Sequence, residues 1–237
     1  MSSLHWIATH DPVDAFPDVH RAFTDPDGLL AAGGDLSSGR LLAAYRRGIF
    51  PWYEEGQPIL WWSPDPRTVF IPKDVHRSRS LQRDLKRRPV RVSINTVFDD
   101  VLSACAESRP GQHGTWITRD MEIAYQTLHR EGHAHSIEVW RDDILLGGLY
   151  GIAIGPVFFG ESMFSRDTNG SKIALTYLAQ WLEKHDFALI DGQVKSSHLV
   201  SMGSIEVSRE RFVSLLDQHC ERSVDSNMWR KNDSLTI

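Results

Sequence analysis

Apolar positions Leu41, Leu42 and Tyr45 recur at helical spacing within residues 36–47, with Asp35 placed to cap the start and Gly48 to close the end. Short β-prone runs and amphipathic stretches then alternate. The pattern predicts strands over 68–71 and 90–94, a basic helix over 76–88, and amphipathic helices over 98–108 and 119–130. After His133 strand signals dominate: a strand over 136–140, a tight turn at Arg141-Asp142-Asp143, and runs 144–154 and 156–163 forming a hairpin at Gly155-Pro156. Asn169 or Ser171 caps a helix to about residue 185, with Ile173, Tyr177, Leu178, Trp181 and Leu182 as its buried stripe. Residues 187–194 are nearly continuously apolar, the signature of a strand covered on both faces. A last helix covers about 208–219. Residues 1–30 read as an irregular lead-in, and the prolines within 58–66 argue against a long helix or a central strand there.

This mixture predicts an α+β protein with a mixed sheet. The 237 residues suffice for two modest domains. A composition shift near 93–98 divides them into an N-terminal α/β domain, 1–95, and a larger C-terminal domain, 96–237, with no flexible linker between. Two cysteines make no disulfide framework, no stretch approaches the roughly 20 apolar residues of a bilayer span, and the first residues lack a signal-peptide pattern. A cytoplasmic protein is expected. The net charge of -5 disfavours nucleic-acid binding by the chain as a whole, but phosphate contacts depend on local charge.

Local features supply that charge and several candidate chemistries. Phe50, Trp52, Tyr53, Trp61 and Trp62 crowd into residues 50–62. Such rings stack on exposed bases at single-stranded RNA ends, or build a core; Trp61 and Trp62, leading into a strand, suit the core, and Trp52 suits either. Arg77, Arg79, Arg83, Lys86, Arg87 and Arg88 dominate one segment, which fits a phosphate-binding helix face or a solvated one. His129, His133 and His135 do not complete a zinc spacing, so no metal is expected. Asp191 and Gln193 share one face at the end of an apolar strand, where a carboxylate must be paired, hydrogen-bonded or used. Glu161, with Met163 and Phe164 beside it, follows another apolar strand.

Taken together, the stretches GLLAAGGDLSSGRLLAAYRRGIFPWY, PILWWSPDPR, GTWIT, GHAHSIEVW, GGLYG, FFGESMFSR and LIDGQV resemble the leucyl/phenylalanyl-tRNA–protein transferase family over nearly the whole chain. The resemblance implies a small N-terminal domain on a GNAT-like C-terminal domain, working as a monomer without cofactor. It implies transfer of Leu or Phe, and less efficiently Met, from aminoacyl-tRNA to proteins beginning with Arg or Lys, marking them for N-degron proteolysis. Trp52, with Phe50 behind it, would stack on the terminal adenosine. Trp116 and Tyr125 would sit at the reacting ester with Glu161, Asp191 and Gln193. Leu149, Phe158, Met163, Leu175, Leu178 and Ile190 would line the donor side-chain pocket, and the cations between Arg77 and Arg88 would meet the acceptor stem. Gly192 stands where the family usually has Cys, and Ser196 where it usually has Asn.

The donor ester is already activated and the attacking α-amine has a pKa of about 7.7–8.0, so positioning can supply much of the acceleration. Asp191 and Gln193 are expected to orient the amine and assist proton removal. Glu161, or Asp191, is expected to favour the cationic acceptor. A CoA-dependent N-acyltransferase and a non-catalytic RNA-binding module remain open at this point.

Overall fold

The computed structural model describes residues 3–107 and 117–232. Its N-terminal part builds a four-stranded sheet from β1 (His5–Ile7), β2 (Leu29–Gly33), β3 (Phe50–Pro51) and β4 (Leu60–Trp62), in the order β1-β2-β4-β3. The lead-in is therefore not wholly irregular, since β1 pairs with β2 in parallel. Nor do prolines keep residues 60–62 out of a sheet interior: β4 lies between β2 and β3. Pro58 and Pro64 fall outside its three residues, so no ladder donor is lost.

A seven-stranded sheet follows, from β5 (Arg67–Phe70), β6 (Arg91–Ile94), β7 (Ala134–Arg141), β8 (Ile144–Ile154), β9 (Val157–Ser165), β10 (Leu189–Gln193) and β11 (Ile205–Val207), in the order β11-β5-β10-β9-β8-β7-β6. The two sheets thus part between Trp62 and Arg67, because the composition shift near 95 marks a loop after β6 and not a sheet boundary.

Helices α1 (Ser38–Arg46), α2 (Arg79–Arg87), α3 (Phe98–Ala106), α4 (Arg119–Arg130), α5 (Gly170–Lys184), α6 (Ser197–Ser201) and α7 (Arg209–His219) complete the fold. Ser37, not Asp35, caps α1, while the Asp35 carboxylate accepts from the Ser37 N–H and pairs with buried Arg40. Gly48 ends α1 at φ 73°, a conformation that costs glycine little. Ser78, Thr118 and Ser208 cap α2, α4 and α7 through their hydroxyls.

Strand alternation sends side chains to two cores, one on each side of the large sheet. On one side α5 buries Ile173, Leu175 and Leu178 against Phe70, Leu149, Phe158 and Ile190. On the other, α3 and α4 pack with Tyr150, Ile152, Phe159 and Leu189, in one cluster with Ile7, Leu30 and Trp61 of the small sheet. Leu189 and Ile190 therefore face opposite cores, as the continuous apolar run predicted. Each such side chain contributes about 1.5–3 kcal/mol on burial, which fixes the register of β10.

The strand pairing around β10 sets up the site. β9 and β10 are parallel and pair from Leu189↔Val157 to Asp191↔Phe159. Beyond that point β9 stays with β8 as far as Ser165, whereas β10 stays with β5, with a register shift between Asp191 and Gln193. The sheet forks there. Among the described residues no helix is long and apolar enough to cross a membrane.

Candidate active site

The fork opens into a cavity of about 1100 Å³. Leu149, Phe158, Met163, Leu175, Leu178 and Ile190, the six residues expected to hold an apolar side chain, all line it, joined by Phe70 from β5. At the crotch of the fork stand Glu161, two residues past the last paired residue of β9, and Gln193, two past that of β10. Simple alternation is interrupted at both, since β8 pairs with Ser162 and Gly160 around Glu161 and β10 shifts register between Asp191 and Gln193, and the Gln193 amide spans the gap, Nε2 donating to Glu161 Oε1 at 2.9 Å. Gln193 sits at φ 58°, an uncommon conformation for a residue with a side chain. Its backbone N–H donates to Asp191 Oδ1 at 2.8 Å, which stabilises that bend.

Asp191 is fully buried, and its partner is a residue the sequence did not single out. Arg67 meets it with two bonds, Nε to Oδ1 at 2.8 Å and Nη2 to Oδ2 at 2.6 Å. The guanidinium lies 4.7 Å from the ring centres of both Phe50 and Phe212, and its Nη1 donates to the Gly48 carbonyl at 3.2 Å. A lone Arg in the apolar run of β5 and a lone Asp in the apolar run of β10 were the available signal: two buried opposite charges need each other.

Glu161 faces a different environment. Its Oε2 accepts from the Tyr125 hydroxyl at 2.6 Å, and Tyr125 in turn lies 2.7 Å from the Tyr45 hydroxyl. Burial pushes the Glu161 carboxyl up to about 7, the tyrosine hydroxyls oppose that rise, nearby Asp191 adds to it, and Arg67 opposes it. Burial, with Glu161 adjacent, holds Tyr125 and Tyr45 well above the usual phenol range, so both stay protonated. Tyr125 is itself buried and touches Glu161 from behind.

A model of the leucyl/phenylalanyl-tRNA protein transferase matches residues 69–217, and a model of that transferase's N-terminal domain matches residues 34–65. The chain belongs to the leucyl/phenylalanyl-tRNA–protein transferase family. It is a transferase. A leucyl/phenylalanyl-tRNA–protein transferase of Shewanella baltica (strain OS223) is 55% identical over 229 residues, 97% of this chain and 96% of the relative. That of Shewanella oneidensis is 54% identical with the same coverage. A solved structure of L-PGS from Bacillus licheniformis overlays with a TM-score of 0.39 and 10% identity, covering 79% of this chain and 58% of that one.

Elsewhere on this transferase the aromatic residues separate by exposure. Trp52 lines the cavity and is 43% exposed. Trp61 is buried in the core, its Nε1 donating to the Gly33 carbonyl at 2.9 Å. Trp62, expected in the core, is half-buried and packs against that core, its ring centre 5.6 Å from that of Trp52 and its Nε1 donating to the Trp52 carbonyl at 2.7 Å. Phe50 is buried under Arg67 and offers no free face. Trp116 lies outside the described residues.

Arg77, Arg79, Arg83, Lys86, Arg87 and Arg88 are all exposed, along α2 and its two ends. Arg88 pairs with Asp167 at 2.8 Å and with Asp84 at 3.6 Å. The histidines serve packing: His129 stacks on Phe98 at 4.0 Å and His135 on Trp229 at 4.0 Å. Burial pushes His135 down to about 3, keeping it neutral. Ser196 lines the cavity and caps α6, accepting from the Leu199 N–H at 3.2 Å. A Cβ at Gly192 would lie 3.2 Å from the Leu199 Cδ1 tip, so a small side chain there needs only a slight shift of that tip.

Proposed function

We propose that this transferase moves Leu or Phe, and less efficiently Met, from aminoacyl-tRNA onto the N-terminal α-amine of proteins beginning with Arg or Lys, making a peptide bond that marks them for N-degron proteolysis in the cytoplasm. One observation carries the reading: an apolar cavity ends at a hydrogen-bonded carboxylate and carboxamide in the fork of two parallel strands. An esterified amino acid needs an apolar wall for its side chain and polar groups at its carbonyl end, and this cavity supplies both. The fork in a mixed sheet also supports reading the large sheet as a GNAT-like acyltransferase core.

The work divides along the chain. Residues up to 95 offer the tRNA surface: the Trp52 ring, backed by Trp62, for the terminal adenosine, and α2 for acceptor-stem phosphates. Residues 96–237 supply most of the transfer site. In it, Asp191 and Arg67 fix the bend of β10 so that Gln193 can orient the incoming amine. Glu54 and Glu55, exposed and lining the same cavity as Glu161, suit the hydrated cationic side chain of the acceptor better than buried Glu161.

The test is transfer of labelled Leu from Leu-tRNA to an Arg-initiated peptide, read by mass. One leucyl residue added at the N-terminus, with Ile- and Val-tRNA poorer donors than Leu-tRNA and an acyl-CoA inactive, is the expected result. A product formed from acyl-CoA, or none from aminoacyl-tRNA, would contradict it.

A further inference from the structure

We infer that Glu161 takes the proton from the attacking α-amine, while Asp191, expected from the sequence to assist that step, is a fixed anchor of the β10 bend. The inference rests on the aminoacyl-transfer reading given above and adds the identity of the base.

The step itself is simple to balance. The lone pair of the neutral amine attacks the ester carbonyl carbon, a C–N bond forms, and the bond from that carbon to the ribose oxygen breaks. The nitrogen sheds one proton, and the departing ribose oxygen needs one. A single group that accepts the first and returns it to the second closes the cycle unchanged.

Asp191 is badly placed for this exchange. It is 0% exposed, each of its oxygens carries an Arg67 bond, and Oδ1 holds the Gln193 N–H as well. Its charge is the counter-charge of a guanidinium buried between two phenyl rings. Glu161 has the opposite arrangement. It lines the cavity, each oxygen accepts one hydrogen bond, and an ionised carboxylate oxygen has a second lone pair to offer. Tyr125 gives its single proton to Glu161, so its own oxygen accepts from Tyr45, and the pair forms a fixed donor chain that holds the carboxylate toward the fork.

Charged and titratable groups reach Glu161 from every side. Tyr125 comes from α4, Tyr45 from α1, Tyr150 from β8, Asp191 from β10 and Arg67 from β5. Burial outweighs the hydroxyls and Arg67 and lifts Glu161 to about 7. That value suits a base working at neutral pH, where both its forms are populated.

Turnover at saturating Leu-tRNA and saturating Arg-initiated peptide, followed across the neutral pH range, tests the assignment. The wild-type rate should rise through a limb at about 7. This limb should stay in place when the acceptor is exchanged for one with a more acidic α-amine. Glu161→Gln should cost roughly 100-fold or more in turnover and lose the limb, with tRNA binding and thermal unfolding close to wild type. Tyr125→Phe removes a hydrogen bond to the charged form, so the limb should move to higher pH. A Glu161→Gln enzyme within a few-fold of wild type, or a limb that follows the acceptor amine and ignores Tyr125→Phe, overturns the assignment. A wild-type enzyme that makes no transfer product overturns the aminoacyl-transfer reading, and this inference with it.

Discussion

At the scale of single residues the pair Arg67–Asp191 decides most. Both side chains are removed from water, at 1% and 0% side-chain exposure, and their two parallel hydrogen bonds make the cost of desolvation bearable. Removing one partner leaves a buried charge alone, for which about 3–5 kcal/mol is expected. Arg67→Met should therefore lower the thermal midpoint by roughly 10 °C, since 1 kcal/mol moves a protein of this size by about 2–4 °C. Arg67→Met combined with Asp191→Leu should recover part of that stability but not the transfer rate, because Gln193 loses the acceptor of its backbone N–H. Differential scanning calorimetry alongside single-turnover rates checks both halves; a double variant with wild-type rates would mean that Asp191 does not position Gln193. Glu161, Asp191 and Gln193 stood out in the sequence because apolar runs that end in polar residues mark strand ends, whereas the six cavity residues were implied only by the family resemblance. Arg67 was not, since one Arg after Pro66 reads as an ordinary exposed strand start, and only its distant partner shows otherwise.

At the scale of elements, α2 carries the exposed cations, and its position is held by an ion pair and a hydrogen bond to the loop between β9 and α5. Asp167 accepts from Arg141 at 2.7 Å and Arg88 at 2.8 Å, and Asn169 donates to Asp84 at 3.1 Å. Arg83, Lys86 and Arg87 are exposed and take no part in that anchor, so the proposed phosphate contacts would leave it undisturbed. Changing each of these three to Gln should weaken aminoacyl-tRNA binding and lower the salt dependence of its log Kd by about one unit per cation. Turnover at saturating tRNA should stay near wild type; a fall in turnover with unchanged binding would place α2 at the reaction instead. The longer elements could be read from periodicity: the helix expected over 119–130 is α4 to the residue. Three-residue strands such as β1, β4 and β11 carry no readable period, because their pairing comes from neighbours far away in sequence. The basic helix begins at Arg79, three residues later than expected, because the Ser78 hydroxyl captures the Leu81 N–H.

At the scale of the molecule, two cores on opposite sides of one sheet hold β9 and β10 parallel up to Asp191↔Phe159 and release them beyond. One face of the fork belongs to the α5 core and supplies the apolar wall. The other belongs to the core shared with the small sheet and supplies the Tyr125–Tyr45 support behind Glu161. Composition alone suggested a division near residue 95, yet β5 and β6 belong to the large sheet, and Arg67 and Phe70 reach the site from there. The site is thus completed by residues that precede the composition shift, which local sequence could not show.

In the proposed reaction the donor side chain occupies the α5 wall of this cavity. The direct measurement is the ratio of Phe to Leu transferred by Leu178→Phe, in which added bulk fills the wall at a tolerable packing cost of about 1–3 kcal/mol. Phe transfer should fall at least tenfold further than Leu transfer, with tRNA binding unchanged. Equal losses for both donors, or no loss for either, would contradict it.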